Sequence, residues 1–355
     1  MSMKLKTVLY DCANTVLAIL ISMAVTALVI LLISEEPGLS LKTFLTGPLS
    51  SNRFAASIIT TAIPIMFTGL AVSIMFQASM FNMAAEGAYF LGSLIAVGVA
   101  THVKLPGIIG IIVPLFIGGA VGAVVCLIPA LLKAKLNADE IVSSLMLNYV
   151  VLYLGLYLLN NVIRDTSAYF LASPTIPENS VLSRLIYGTS LHSGLIIAII
   201  FIILGYIFLY KTKAGEALRI FGQNPRFADY SGINTMGIII SSQAIGGAIA
   251  GIGGTVEVLG MYDRFMWDSL PGAGWNGVIV AILAHNKPQY VPLAALFYSY
   301  LSVGASAMAL NTDVPSELIT VIQALMILLV SAKAMTKGIK QRHIIKEVLA
   351  NESSH

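Results

Sequence analysis

Charged side chains are scarce in this sequence of 355 residues. Asp, Glu, Lys and Arg make up 10% of it, whereas soluble domains contain about 25%, and 57% of the residues are hydrophobic. The deficit extends over the whole length, which excludes a soluble domain with one membrane anchor and indicates a polytopic integral membrane protein. The net charge of +3 is too small to indicate nucleic-acid binding.

Clusters of reactive or metal-binding residues are also lacking. The two cysteines, Cys12 and Cys126, lie in or beside apolar runs, so we predict no disulfide, redox motif or metal site. The sequence contains no Gly-x-x-x-x-Gly-Lys-Ser/Thr phosphate loop, no His-Glu-x-x-His motif and no Gly-x-Ser-x-Gly motif. We therefore expect neither a cofactor nor an enzyme activity in this chain.

Ten stretches are apolar and long enough to be predicted as membrane spans, which need about 20 mainly apolar residues. Lys4 and Lys6 precede the first stretch, but it exceeds the roughly 7–15 apolar residues of a signal peptide and no cleavage site follows, so we expect it to be retained. The sequence thus predicts an all-α polytopic fold with a single transmembrane domain over 1–355. The predicted spans are 12–34, 56–77, 86–101, 106–132, 140–159, 192–210, 236–259, 268–285, 288–310 and 316–333.

The distribution of lysine and arginine predicts the orientation of these spans. With the N-terminus inside, 14 of the 20 basic residues fall in inner segments and 6 in outer segments. Because basic residues favour the cytoplasmic side, we predict that both termini are cytoplasmic. The same rule places the polar segment 211–234 and the basic tail 334–355 inside. The outer segment 160–191 is either a connection between spans or a contact surface for an extracytoplasmic partner.

Three short motifs recur in the same order in two parts of the chain. The two sets lie in spans of opposite predicted direction, which is the pattern of an inverted repeat. Short matches also arise by chance in glycine-rich apolar sequence, so both interpretations stay open. The motifs Ala85–Gly87, Val113–Leu115 and Asn137–Asp139 correspond to Trp275–Gly277, Val291–Leu293 and Asn311–Asp313.

Polar residues between or within the predicted spans are candidates for a transport pathway. A carboxylate at the bilayer centre costs at least about 2.5–3.5 kcal/mol, so it usually faces a cavity, has a partner or lies at a helix end. Glu86 either caps the start of its own helix or, with Asn82, marks a broken helix that lines a pathway. Glu257, near the outer end of its span, is a further candidate. The glycines of Gly246–Gly254 favour close helix packing over pathway lining.

The polar segment 211–234 is compatible with a helix between two apolar runs. In such a helix Leu218 would contribute to an apolar patch, while Glu216 and Arg219 would face elsewhere. Asn224 followed by Pro225 would end this helix and start a second short turn. The pattern alone is typical of either a solvated loop or an amphipathic cytoplasmic helix.

Several segments between Gly69 and Lys333, taken in order, resemble a known family. They resemble the permease subunits of simple-sugar and nucleoside ABC importers, which belong to the larger branched-chain amino acid/ribose permease family. Lys133–Lys135, Glu140–Val142 and Leu147–Tyr149 are most similar to the nucleoside-type members. The matching segments are Gly69–Ser73, Phe81–Gly87, Gly215–Arg219, Gly222–Asn224, Tyr230–Asn234, Gly246–Gly254, Glu257–Gly260, Asn276–Ala281 and Val314–Leu318.

The resemblance implies an architecture and a set of partners. It implies about ten spans per subunit, two identical or related permease subunits around one pathway, and a cytoplasmic-membrane location. It further implies an ATP-binding subunit and an extracytoplasmic substrate-binding protein as partners. The cytoplasmic helix at 215–232 would dock on the ATP-binding subunit. Its expected coupling residues are Gly215, Glu216, Leu218, Arg219, Gly222 and Asn224.

Under this resemblance, the substrate is a nucleoside or a related simple sugar. We expect Asn82, Glu86 and Glu257 to line its pathway. Gln77–Ser79 and Met83–Ala84 depart from the family's pattern, which leaves the substrate less defined than the fold. The alternative function is an ion-coupled secondary transporter of a small polar solute, in which Glu86 and Glu257 are proton or sodium sites.

Overall fold

The computed structural model describes residues 34–103 and 106–314, together with Ala24, Leu28, Leu31 and Val321. Almost all of the predicted spans at 12–34 and 316–333 lies outside this range, as does the tail 334–355. Within it, the chain forms α-helices joined by turns and short helical segments, without β-strands. The helices are α1 (Pro37–Thr46), α2 (Asn52–Gln77), α3 (Ala85–His102), α4 (Ile109–Leu136), α5 (Glu140–Leu158), α6 (Gly194–Lys211), α7 (Lys213–Gln223), α8 (Pro225–Tyr230), α9 (Thr235–Met261), α10 (Ala273–Leu283) and α11 (Val291–Asn311).

Six helices in the described part of the chain are long and apolar enough to cross a membrane. Each coincides with a predicted span, so the prediction of a polytopic all-α protein is confirmed for this part of the chain. The total of ten spans, the single domain and the cytoplasmic termini remain predictions. The six are Asn52–Gln77, Ile109–Leu136, Glu140–Ile163, Gly194–Lys211, Thr235–Met261 and Pro288–Asn311.

The helix at the predicted span 268–285 is shorter than expected. α10 has 11 residues and, at 1.5 Å per residue, extends only about 16 Å, roughly half of a 30 Å hydrocarbon core. Residues 262–272 before it are irregular, and Gly272 ends this stretch in the left-handed conformation with φ at +79°. Hydropathy counts apolar residues whatever their backbone conformation, which is why the predicted boundaries were too wide.

The described residues form two compact units. The larger is Ala55–Ser299, and the smaller consists of the described residues within Met1–Phe54 and Tyr300–His355. In the smaller unit, the hydroxyl of Tyr300 donates a hydrogen bond to the backbone oxygen of Leu45.

The core of the larger unit is the packing of α3, α4 and α9 through glycine. Gly118 and Gly122 of α4 face Gly251 and Gly247 of α9 closely. A side chain at Gly122, Gly247 or Gly251 would collide with backbone atoms of the other helix, and one at Gly118 would collide with the Thr255 hydroxyl. Gly92 of α3 meets the same crossing. The prediction that the glycines of α9 serve close helix packing is therefore confirmed.

Candidate functional site

The segment between α2 and α3 is not helical, and hydrogen bonds of Asn82 hold it in place. This side chain is 1% exposed. Its Nδ2 donates to the backbone oxygen of Cys126 in α4 at 3.1 Å, and its Oδ1 accepts from the N–H of Ala84 at 2.9 Å. Asn82 thus lies at a helix break, which was one of the two alternatives from the sequence, and its amide bonds this break to α4.

Two polar side chains of α5 also bond to the segment between α2 and α3 and to the start of α3. Asn148 accepts a hydrogen bond from the N–H of Gly87 at 3.0 Å and donates to the backbone oxygen of Met83 at 3.0 Å. Ser144 accepts from the N–H of Met83 at 2.9 Å. The contact with Gly87 supplies a partner for an N–H group that the first turn of α3 leaves unpaired, and the contacts with Met83 bond the preceding turn to α5. Sequence reasoning missed both residues, although polar side chains in the apolar run of α5 were a signal.

Glu86 lies at the start of α3 but binds the start of α10. The side chain is 1% exposed, and its two carboxylate oxygens accept hydrogen bonds from the backbone N–H groups of Gly272 and Gly274. The first N–H groups of a helix lack intrahelical partners and carry partial positive charge, which a carboxylate stabilises. A side chain at position 274 would place its Cβ 2.7 Å from the backbone nitrogen of Glu86, so glycine permits this approach. Glu86 does cap a helix, but one distant in sequence.

Glu257 lies one turn before the end of α9 and is half-buried. It accepts a hydrogen bond from the hydroxyl of Tyr89. Tyr89 follows Glu86 by one turn of α3, so this helix brings the two predicted carboxylates into one region. Asn82 precedes the same helix and is bonded to α4.

An aromatic cluster borders Glu257. The rings of Tyr89 and Trp267 are stacked, with centroids 5.7 Å apart and planes 16° apart. Phe265 and Tyr262 meet Trp267 edge-on, at centroid distances of 5.2 and 6.1 Å. Sequence reasoning missed this cluster, although the aromatic residues that closely follow an intramembrane carboxylate were a signal.

The segment 211–234 forms two helices with capped starts. Thr212 accepts from the N–H of Gly215 at 3.1 Å at the start of α7, and Asn224 accepts from the N–H of Phe227 at 3.0 Å at the start of α8. Side-chain oxygens at these positions satisfy the free N–H groups of a helix start. The predicted helix, break and second turn are therefore confirmed.

One face of α7 packs against the ends of α2 and α6 within the larger unit. Leu218 is buried, and Gly222 lies against the backbone oxygen of Gln77 at the end of α2. The hydroxyl of Ser79 donates to the backbone oxygen of Gly222 at 2.6 Å, and Gly215 lies against the backbone of Phe208. Three of the six predicted coupling residues, Gly215, Leu218 and Gly222, therefore anchor the helix.

The other three predicted coupling residues point elsewhere. Glu216 and Asn224 are exposed. Arg219 is half-buried, with its guanidinium carbon 5.0 Å from the centroid of the Tyr210 ring, a cation–π arrangement.

α8 carries two exposed aromatic residues that sequence reasoning missed. Phe227 is 58% exposed and Tyr230 is 91% exposed, while Ala228 between them is buried. Exposed aromatic side chains rimmed by polar residues are typical of protein contact surfaces. We call Phe227 and Tyr230, with the exposed Arg226 and Asp229, the α8 surface.

Gln77 links the segment 211–234 to α10. Its backbone oxygen lies against Gly222, and its Nε2 donates to the backbone oxygen of Asn286, just beyond α10, at 2.8 Å. The opposite end of α10, its N-terminal start, donates hydrogen bonds to Glu86. A connected set of contacts thus runs from α7 through α10 to the carboxylate region.

The segment 160–191 is bonded to the aromatic cluster rather than loose. The N–H groups of Ser173 and Ile176 each donate at 2.9 Å to the backbone oxygens of Phe265 and Asp263. The Oδ2 of Asp165 lies 2.8 Å from Nη1 of Arg264. Hydrogen bonds from the hydroxyl and N–H of Ser167, reinforced by Arg264, hold the pKa of Asp165 below its usual value.

Comparison with known proteins finds relatives along most of the chain. The glucose ABC transporter permease protein TsgB13 of Haloferax volcanii is 31% identical, covering 88% of this chain and 85% of the relative. The guanosine ABC transporter permease protein NupP of Bacillus subtilis is 29% identical, covering 89% and 92%. The nucleoside ABC transporter permease protein NupB of Lactococcus lactis subsp. cremoris is 28% identical, covering 89% and 90%.

No solved structure matches the chain significantly. The family described as "Branched-chain amino acid transport system / permease component" matches residues 54–331. This match includes the glycine crossing, both carboxylates, the aromatic cluster and the segment 211–234. The chain is therefore a member of this permease family.

Proposed function

We propose that this chain is the membrane-spanning permease subunit of an ABC importer for nucleosides or a related simple sugar. A partner subunit binds and hydrolyses ATP, so the chain itself is not an enzyme. The family and the names of the relatives support this proposal, since those relatives are ABC permeases for nucleosides, guanosine and glucose.

The geometry of α7 and α8 is the observation that carries the proposal. A coupling element must be fixed to the helices that it moves and must also present a surface to its partner. Leu218 and Gly222 supply the fixed face, and the α8 surface supplies two exposed aromatic residues. We assign docking on the ATP-binding subunit to the α8 surface with Glu216 and Asn224. Gly215, Leu218, Arg219 and Gly222 transmit the movement.

Contacts of Gln77 and Glu86 would carry the movement of α7 to the membrane helices. Displacement of α7 acts on Gln77, whose side chain holds the segment just beyond α10. The other end of α10 is held by Glu86 at the start of α3. Docking would therefore shift α10 against α3, which carries Tyr89, the hydrogen-bond donor to Glu257.

Within this importer we assign Asn82, Glu86 and Glu257 to the substrate pathway in different ways. Asn82 and Glu86 are fully buried and bonded to protein groups, so they hold the helices that border the pathway. Glu257 is half-buried and borders the aromatic cluster, so it contacts the substrate.

The proposed assembly has ten spans per chain, with both termini and the segment 211–234 in the cytoplasm. It contains a second permease subunit, identical or related, in the same cell membrane. The segment 160–191 faces outward, toward a substrate-binding protein.

Uptake of labelled guanosine and glucose into vesicles that contain the chain, its ATP-binding subunit, its second permease and its binding protein tests this proposal. We expect ATP-dependent uptake that is lost when the ATP-binding subunit carries a hydrolysis-deficient substitution. Uptake driven by a proton or sodium gradient without ATP would overturn the proposal and favour the ion-coupled alternative.

A further inference from the structure

We propose that Glu257, Tyr262 and Trp267 form a nucleoside-binding site in which the ribose vicinal hydroxyls donate to Glu257 and the base stacks at Trp267. This inference rests on the proposed import function and specifies the substrate group that each residue contacts. The site lies at the end of α9 and in the irregular segment that follows it.

The first argument is that Glu257 has no cation as an ion-pair partner among the residues that the structure describes. Ion pairs in this part of the chain join Lys133 to Glu140 and Arg264 to Asp165, and neither includes Glu257. Tyr89 supplies one neutral hydroxyl donor to Glu257, and the Tyr262 hydroxyl is hydrogen-bonded to the same carboxylate. A half-buried carboxylate requires hydrogen-bond donors, and it has two oxygens that accept several bonds. Vicinal hydroxyls supply two adjacent neutral donors, which match these two oxygens.

The second argument is that some rings of the aromatic cluster are buried while others are partly accessible, and we call the accessible ones its edge. Tyr89 and Phe265 are buried, whereas Trp267 and Tyr262 are half-buried. Tyr89 and Trp267 already form a near-parallel stack. A nucleobase has a planar face that stacks on aromatic side chains, and the accessible tryptophan is where such a face would meet the cluster.

The third argument is electrostatic and concerns the charge of the ligand. The start of α10 is the kind of position where a transporter binds an anionic group, but here the carboxylate of Glu86 occupies it. Glu257 adds a second carboxylate in the same region. Neither carboxylate belongs to an ion pair within the described ranges, so a phosphate would meet acceptor oxygens rather than a cation, and the site fits an uncharged nucleoside rather than a nucleotide.

The site is also fixed to the segment 160–191. The backbone of Phe265 in the cluster accepts a hydrogen bond from Ser173, and Leu259 accepts one from Leu182 at 2.9 Å. A ligand released at that segment would therefore meet the edge formed by Trp267 and Tyr262 before the buried interior.

Tryptophan fluorescence of the full chain in lipid nanodiscs tests binding directly. The chain contains two tryptophans, so Trp275→Phe leaves Trp267 as the only one. We expect guanosine to quench this variant in a saturable way, with at least tenfold weaker binding for 2′-deoxyguanosine and none for guanosine monophosphate. Trp267→Phe, which keeps the exposed Trp275, should show no saturable quenching.

A second substitution tests the hydrogen bonds to ribose. Glu257→Gln, made in the Trp275→Phe background, should weaken guanosine binding at least tenfold and leave 2′-deoxyguanosine binding much less affected. A merely structural role would weaken both ligands equally, and that result would overturn the inference. Equal quenching by guanosine and guanosine monophosphate would also overturn it.

Transport by the reconstituted importer separates failure of this inference from failure of the proposed function. If the wild-type complex imports guanosine with ATP and Glu257→Gln and Trp267→Phe import it equally well, the site is wrong and the function stands. If the wild-type complex imports glucose with ATP but neither binds nor imports guanosine, the nucleoside assignment fails while the ABC importer stands. If it imports nothing with ATP, the proposed function fails.

Discussion

The carboxylate of Glu86 accepts a hydrogen bond from the backbone N–H of Gly274, so the first turn of α3 caps the first turn of α10. The same carboxylate also accepts a hydrogen bond from the N–H of Gly272. One buried side chain therefore joins two helices that are distant in sequence, since Glu86 and Gly274 are 188 positions apart. α10 is too short to cross a membrane, and its buried start depends on this partner. Glu86 is therefore expected to stabilise the fold.

Replacing Glu86 with alanine should destabilise the protein. The substitution leaves two backbone N–H groups without their acceptor, and a hydrogen bond to a charged group contributes about 1.5–3 kcal/mol. We expect Glu86→Ala to lower the thermal unfolding temperature of the purified protein by several degrees, and Glu86→Gln to lower it less because one oxygen remains. Glu178→Gln, at an exposed carboxylate, is the control. An unchanged unfolding temperature for Glu86→Ala would contradict the capping role.

Adding a methyl group at Gly222 should disturb coupling. The new Cβ would collide with the backbone oxygen of Gln77, so α7 must move away from the end of α2. We expect Gly222→Ala to lower transport per ATP hydrolysed at least tenfold while the protein remains folded, as measured by uptake and ATPase activity in the same vesicles. Gly38→Ala is the matched control, because Gly38 is also helical and a Cβ at that position would meet no neighbouring atom within 4 Å. Equal coupling ratios in the two variants would argue against the placement of α7.

The parts of the fold that the sequence predicts well depend on local composition. Apolar length alone identifies six helices that could span a membrane. The Asn224-Pro225 pair marks the break between α7 and α8, because asparagine caps a helix start and proline is accepted in its first turn. The spacing of Gly247 and Gly251 indicates a close crossing, although it does not identify α4 as the neighbour.

The candidate site depends on contacts between distant segments, which local composition does not contain. A carboxylate before a helix predicts capping, but nothing in the sequence around Glu86 indicates that α10 supplies the N–H groups. The cluster around Trp267 likewise requires that α3 bring Tyr89 to it. The sequence favoured the coupling residues Gly215, Leu218 and Gly222, but burial places these on the anchored face and leaves Phe227 and Tyr230 exposed.

Polar substitutions on the α8 surface should weaken binding of the ATP-binding subunit. Aromatic residues at the centre of a contact commonly contribute a large share of its binding energy. We expect Phe227→Ser combined with Tyr230→Ser to raise the dissociation constant for that subunit about 10- to 100-fold, as measured by titration of the nanodisc-bound chain. Tyr187→Ser is the control, because Tyr187 is as exposed but lies in the segment 160–191. If both variants bind equally well, the α8 surface is not the docking surface.

The attachment of the segment 160–191 to residues 263–265 should depend on the charge of Asp165. Its pKa is lowered in the folded protein by Ser167 and Arg264. The ionised carboxylate therefore stabilises the attachment above the ordinary aspartate pKa of about 3.9, and this contribution is lost as the pH falls through the lower, folded-state value. At neutral pH, Asp165→Asn should speed hydrogen exchange at the amides of Ser173 and Ile176, which bond to residues 263 and 265.

This difference from the wild type should shrink as the pH falls through the lowered pKa of the folded protein, because the wild-type carboxylate is then protonated as well. Exchange rates must be compared as ratios at each pH, because intrinsic amide exchange itself varies with pH. Asp229→Asn, at an exposed aspartate of α8, should leave these amides unchanged at every pH. If Asp165→Asn exchanges like the wild type at neutral pH, the ion pair with Arg264 does not hold the segment, and the backbone bonds to Phe265 and Asp263 suffice.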